Sequence, residues 1–298
     1  SKPFIYGTTA SIIIGNLLTP IAAPVNILFS ESFDLTMGWF FTYLLPLYFI
    51  SLGITLYYID KKYIRNIDPP DPVRIKMLIE IMDPSLLIRN KHVLYRFVGY
   101  LVFIVVGLIV NYYPFVFVAL SVSIITMIEE KKFTDLFNRV NWNIPLMFIG
   151  FFLLITCIEI NGTIAMFQSA LLYVIGNNVY IAILVIFIFA GLVTSFVART
   201  LSFVVFLSIL QGFFETTFTS TKVQLILLIT FVISLHLGGN LLPQSSSFIL
   251  KMLEQAKERH LSAIQYDSIK KILGKFTTLG AGLGLLYVFV LSLIIGIL

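Results

Sequence analysis

Charged side chains are scarce in this 298-residue sequence, at 12% Asp, Glu, Lys and Arg together. Ordinary globular chains carry roughly 25%, and a soluble protein of this size could not cover its surface with so few. Cysteine is nearly absent. The single Cys157 excludes a disulfide framework and every Cys-based metal site. There is no His-Glu-x-x-His, no Gly-x-x-x-x-Gly-Lys-Ser/Thr and no Gly-x-Ser-x-Gly. No pair of acids lies within the apolar segments, so an intramembrane aspartyl protease has no dyad. No enzyme is expected. Nor is a nucleic-acid partner, because the net charge of +5 sits in the gaps between apolar runs rather than on one face.

What the chain has is apolar residues, 58% of the total, with a mean hydropathy of +0.98. They come in runs of membrane-crossing length, for which about 20 residues suffice. The runs read as 3–29, 37–59, 97–112, 114–128, 143–160, 179–212, 223–250 and 276–298. Most of the 20 Lys and Arg fall in the links 60–96, 129–140 and 251–275. The positive-inside rule puts these three links in the cytoplasm and the chain in the cell membrane as a multi-pass protein. An even number of crossings must then separate the second and third links. Segment 179–212 is too short for two spans and long for one. Its polar interruption at Thr194-Ser195-Phe196-Val197-Ala198-Arg199-Thr200 predicts a re-entrant hairpin, tolerated only where it is buried in protein or lines a wet cavity.

Two runs carry a matching interruption. One reads Gly15-Asn16-Leu17-Leu18-Thr19-Pro20-Ile21-Ala22-Ala23-Pro24-Val25-Asn26-Ile27-Leu28, the other Gly239-Asn240-Leu241-Leu242-Pro243-Gln244-Ser245-Ser246-Ser247-Phe248-Ile249-Leu250. Glycine and proline break helices, and Asn, Ser and Thr offer ligands where backbone carbonyls are released. Interrupted segments at matching places in two halves point to a transporter's binding site. The charge pattern makes the two segments antiparallel, as inverted repeats require. The expected fold is all-α and polytopic, with inverted-repeat halves, two broken helices and one re-entrant hairpin. Residues 1–59 would close the first repeat, 60–96 would be a cytoplasmic linker containing Asp68-Pro69-Pro70-Asp71-Pro72, and 97–298 would form the second repeat. Residues 15–26 and 238–248 are expected to be non-helical and to meet near 195–200.

At these residues the chain resembles the ion-transporter superfamily of citrate transporters, arsenite permeases, dicarboxylate/sodium symporters and sodium/proton antiporters. Ile14, Gly15, Thr19, Pro20, Ile21, Pro24 and Asn26 match its first signature; Ile13 and Ala22 depart from it. Gly238-Gly239-Asn240 with Ser245-Ser246-Ser247 match the second. In relatives an Asn followed by Pro sits near the hairpin tip, where this chain has Ala198-Arg199-Thr200-Leu201. Relatives also place scaffold helices and a first hairpin before the first signature, so an N-terminal portion is expected beyond Ser1. The resemblance implies a secondary transporter working by alternating access.

The expected ligand is a small inorganic or carboxylate anion, moved with sodium or protons. Half-helix N-termini favour anions, and Arg199 adds a full charge. Arg199 reads equally as a structural cap for the hairpin's carbonyls. The candidate ligand residues are Gly15, Asn16, Thr19, Pro20, Pro24, Asn26, Ser195, Arg199, Thr200, Gly238, Gly239, Asn240, Ser245, Ser246 and Ser247. Sodium, the one cofactor considered, is expected near Asn16, Thr19, Asn240 and Ser245. His236 reads first as a helix-packing histidine and second as a proton carrier. Gly280-Ala281-Gly282-Leu283-Gly284 reads as a packing face. The bilayer and a second copy of the chain are the other expected partners. The competing functions are sodium/proton antiport and a non-transporting membrane scaffold or receptor built on the same fold.

Overall fold

A computed structural model describes residues 11, 14–65, 90–110, 115–129, 134, 138, 142–197, 199–258 and 266–297. Residues 66–89 of the expected linker 60–96, with its proline run, lie outside these residues, as do most of 130–141, Ala198 and 259–265. All regular structure among the described residues is helical. The helices are α1 (Pro24–Phe33), α2 (Met37–Tyr43), α3 (Leu45–Ile59), α4 (Lys91–Val110), α5 (Phe115–Glu129), α6 (Asn143–Ile160), α7 (Thr163–Ile175), α8 (Val179–Phe196), α9 (Arg199–Thr216), α10 (Thr221–Gly238), α11 (Ser247–Glu258) and α12 (Tyr266–Ile295). By length and composition, Val179–Phe196, Thr221–Gly238 and Ile269–Ile295 can each cross a membrane. Two bent pairs bring the candidate spans among the described residues to five.

The chain divides into two compact units, one of residues 1–35, 39–61 and 143–298, the other of 36–38 and 62–142. In the smaller unit α4 packs on α5. A Cβ added at Gly107 would come within 2.9 Å of Val118 Cγ1, so the glycine sets the approach of the two helices.

The larger unit is built around α10, which is buried on nearly every side from Ile226 to Gly238. A helix that is apolar all round belongs in an interior. Helix α8 lies along it, and the contact is backbone to backbone: a Cβ on Gly238 would overlap the Gly191 carbonyl. Ser234 Oγ donates to Phe187 O across the same seam. On another side α12 presents Gly284, where a Cβ would meet Ile233 Cγ2 at 2.8 Å, and Gly280, where one would meet Leu237 Cδ2 at 2.7 Å. Small residues let helices approach closely in lipid, where water no longer drives association. Helix α1 joins the same core through Phe29, whose ring lies 5.0 Å from Phe203 of α9 and 5.4 Å from Phe231 of α10.

Three expectations need correcting. The polar stretch 194–200 is not unwound throughout. Helix α8 continues through Thr194, Ser195 and Phe196, because the two hydroxyls donate back to Ala190 O (2.6 Å) and Gly191 O (2.8 Å). The interruption shrinks to 197–198, and Arg199 and Thr200 open α9. Helices α8 and α9 have 18 residues each, about 27 Å at 1.5 Å per residue. Helix α8 alone is therefore of spanning length. The stretch after Ile160, left outside the apolar runs, contains α7, bent 70° from the end of α6. Gly162, at φ 75°, makes that bend. The non-helical stretches are also narrower than 15–26 and 238–248. The gaps between α-helices run 16–23 and 239–246, the second holding a 3-10 turn at Pro243–Ser245, so Gly15, Pro24, Asn26 and Gly238 are helical.

The glycine contacts give a paired test. Gly238→Ala forces a methyl into the Gly191 backbone and should cost about 2–3 kcal/mol, since overpacking a tight interface strains both sides. Gly282→Ala, with nothing within 4 Å of the new atom, should be neutral. Thermal melts of the two variants in one detergent check both outcomes.

Candidate functional site

The first break follows from proline chemistry. In a continuous helix the carbonyl of Asn16 would receive the N–H of residue 20, but Pro20 has none. Leu17 and Leu18 turn instead onto Ile14 O and Gly15 O, each at 3.1 Å. The freed Asn16 carbonyl is recovered by a side chain. Asn26, fully buried in the first turn of α1, donates from Nδ2 to Asn16 O at 2.7 Å and to Thr19 O at 2.8 Å. One amide thus closes the loop it belongs to, and its Oδ1 is left buried without a partner.

The second break repeats this logic. Asn240 N tightens onto Leu237 O at 3.0 Å, which releases His236 O from its helical partner. The Asn240 side chain takes that carbonyl through Nδ2. Its Oδ1 faces the other way and accepts from Arg199 Nη2 at 3.0 Å; the same nitrogen reaches Ser246 Oγ at 3.5 Å. The arginine stem lies across Gly239, where a Cβ would overlap Cγ, Cδ and Nε of Arg199. Ser245 Oγ donates to Leu242 O at 2.7 Å within a single 3-10 turn, Pro243–Ser245.

The two breaks border a cavity of about 50 Å³, lined by Leu17 of the first with Ile14 just before it, Asn240 of the second with His236 near the end of α10, Thr55 from α3 and Thr277 from α12. That volume suits a few water molecules and falls well below the roughly 300 Å³ of small-molecule sites. His236 borders it. Its Nδ1 lies 2.9 Å from Val232 O, while Nε2 is buried with no partner. The first contact is that of an ordinary packing histidine; the second is not, since a fully satisfied ring would have a partner at both nitrogens. Arg199 and the Asn16 backbone both lie within electrostatic reach of the ring.

Among the described residues no carboxylate faces Arg199; its partners are neutral. The guanidinium also sits in the first turn of α9, where the helix dipole already carries positive character. A partly buried cation placed against a positive helix end favours an anion beside it. The site therefore concentrates positive charge next to two sets of backbone turns.

Of the candidate residues, Asn16, Thr19 and Asn26 are joined at the first break, and Arg199, Asn240 and Ser246 at the second. Ser195 is turned into its own helix, and Gly238 and Gly239 serve close approach rather than ligation. Pro20 is buried, Pro24 is exposed at the start of α1, and Gly15 borders open space. Thr200 is half-buried in the first turn of α9. Ser245 lies beside Ser246 with its hydroxyl turned to Leu242 O. The backbone of Ser247 opens α11, and its side chain lies outside the described residues. Thr55 and Thr277, at the cavity wall, carried no signal in the sequence, being single hydroxyls in apolar helices.

The Asn26 geometry has a sharp consequence. Asn26→Asp keeps the shape but replaces a double donor by an acceptor facing two carbonyls. It should cost about 3 kcal/mol and be at least as harmful as Asn26→Ala, because a buried group without partners is worse than none. Thermal melts of both variants decide the order.

The citrate transporter family model, CitMHS, matches residues 1–233. The match takes in the first break and Arg199 and stops short of 239–246. No curated protein matches the chain, and no solved structure does.

Proposed function

The chain belongs to the citrate transporter family, and from that premise we propose that it is a secondary transporter of a small anion, a di- or tricarboxylate or an inorganic oxyanion. Membership makes it a multi-pass membrane protein of a transporter family. The finer reading rests on Arg199. It is a cation held where α8 gives way to α9, bonded to neutral oxygens of the second break, with no carboxylate beside it among the described residues. Among the described residues its hydrogen bonds run from Nη2, so the guanidinium keeps further donors in the planar arrangement that suits a carboxylate or similar oxyanion. The N-termini of α9 and α11 add backbone N–H groups of the same sense. The paired breaks, each closed by an asparagine amide, fit inverted repeats that share one site, the arrangement on which alternating access works.

Coupling to sodium or to protons accompanies this reading, with the links 60–96, 129–140 and 251–275 on the cytoplasmic side. For sodium/proton antiport, the rival, a titratable carboxylate at the breaks would be needed; among the described residues the groups there are Arg199, His236, amides and hydroxyls.

The test is uptake by the whole protein in proteoliposomes, under imposed sodium or pH gradients, across di- and tricarboxylates, arsenite and sulfate. Anion uptake should fall about tenfold or more in Arg199→Gln, the scale of one lost charge-assisted pair. Sodium-driven proton movement with no anion present would overturn the reading in favour of antiport, and no flux under any gradient would favour a scaffold.

A further inference from the structure

We propose that Arg199 is the resident cation of the second break, filling with its guanidinium the oxygen site that a sodium ion would otherwise take there. The inference rests on the reading of the broken helices as the ligand site and narrows which ions that site accepts.

Three observations carry it. Two side-chain oxygens of the second break, Asn240 Oδ1 and Ser246 Oγ, lie 3.0 and 3.5 Å from Arg199 Nη2 and accept from it. Asn240 cannot easily rotate its oxygen elsewhere, because its Nδ2 is committed to His236 O, the carbonyl that the break released. The arginine stem in turn is confined by Gly239, whose missing side chain is the space the stem occupies. Acceptor, donor and stem are therefore fixed together, and the oxygens that suit a hard cation are already serving a covalently attached one. A mobile cation entering the same place would lose two ligand oxygens and meet a positive charge within a few ångströms, an unfavourable approach in a low-dielectric site. The first break shows the same habit with a neutral donor, since Asn26 Nδ2 occupies the Asn16 and Thr19 carbonyls.

The proposal makes the charge at position 199, rather than sodium, the positive partner that an anion meets at the second break. It also predicts that neutralising this arginine opens a sodium site, because two oxygens would be left without their cation.

The experiment compares thermal melts of the whole protein in sodium chloride and in choline chloride at equal ionic strength, with sodium itself as the probe. Arg199→Gln should gain a sodium-specific rise in melting temperature, on the order of 3 °C beyond any shown by the wild type. Arg199→Lys, which keeps the charge, should gain none. The proposal is overturned if Arg199→Gln and wild type respond alike, or if Arg199→Lys gains the response. Should Arg199→Gln fail to fold, Asn240→Ala decides. An unchanged sodium response relative to wild type supports a resident arginine, whereas a wild-type response that disappears in Asn240→Ala shows sodium bound at that oxygen and overturns it. Anion uptake is measured separately. A sodium-sensitised Arg199→Gln without wild-type uptake sinks the transport reading alone, and wild-type uptake with a sodium-indifferent Arg199→Gln sinks the resident cation alone.

Discussion

A backbone carbonyl released inside a membrane has no water to accept a bond from, and leaving it bare costs several kcal/mol. The architecture around both breaks answers to that constraint. Pro20 takes away the donor that Asn16 O would have had, and Asn26 restores it from ten residues along the chain. The 3-10 tightening at Asn240 frees His236 O, and the Asn240 side chain returns to it. The bend between α2 and α3, 51° at Leu44, follows the same rule, with Tyr287 of α12 donating its hydroxyl to Tyr43 O at 2.6 Å. Each interruption survives because one side chain in range is a donor. Asn26 and Asn240 suit this task because an amide carries donor and acceptor on separate atoms, so one end can serve the backbone while the other points elsewhere.

Charge follows the same spatial logic. An arginine at the start of a helix, partly buried and with no carboxylate against it among the described residues, is unfavourable on its own terms. It is accommodated because Gly239 provides a groove for the methylene stem and the second break offers two neutral oxygens. Those oxygens solvate the guanidinium without neutralising it. The site keeps its positive charge, and this distinguishes it from a structural ion pair, in which a carboxylate would quench the field at its source. The neighbouring cavity is polar at His236, Asn240, Thr55 and Thr277 but water-sized, too small for the anions proposed above.

How much of this was legible in the sequence depends on the range of the interaction involved. The two breaks were legible because their cause is local: glycine and proline within an apolar run, flanked by Asn and Ser, interrupt a helix whatever surrounds it. The exact extent was less so. Thr194 and Ser195 read as a polar interruption, yet a hydroxyl in a helix can bond four residues back and leave the helix intact. Helix α7 was missed because its polar Gln168 and Ser169 and the preceding Asn161-Gly162 look like a link. In the fold the Gln168 amide is packed against Gly212 of α9, a contact between remote segments that hydropathy does not encode. His236 presents the same difficulty. Its burial was readable, but its unpartnered Nε2 depends on where the first break lies relative to α10.

The site also shows where family likeness and geometry overlap. The matched residues 1–233 contain Asn16, Asn26 and Arg199, while Asn240 and Ser246 lie beyond them. Arg199 is thus covered by the family match, but its bonding partners are known from the packing alone. A charge read only within the matched segment would look like a free intramembrane arginine, available in full to a ligand. Set against the second break it is already partly committed, with Nη2 holding the turn and the stem and Nε laid across Gly239. A substitution at Arg199 therefore perturbs two things together, the shape of the break and the charge offered to a ligand. Lysine and glutamine replacements separate them, because lysine keeps the charge but loses the planar fork, whereas glutamine keeps a planar donor and loses the charge.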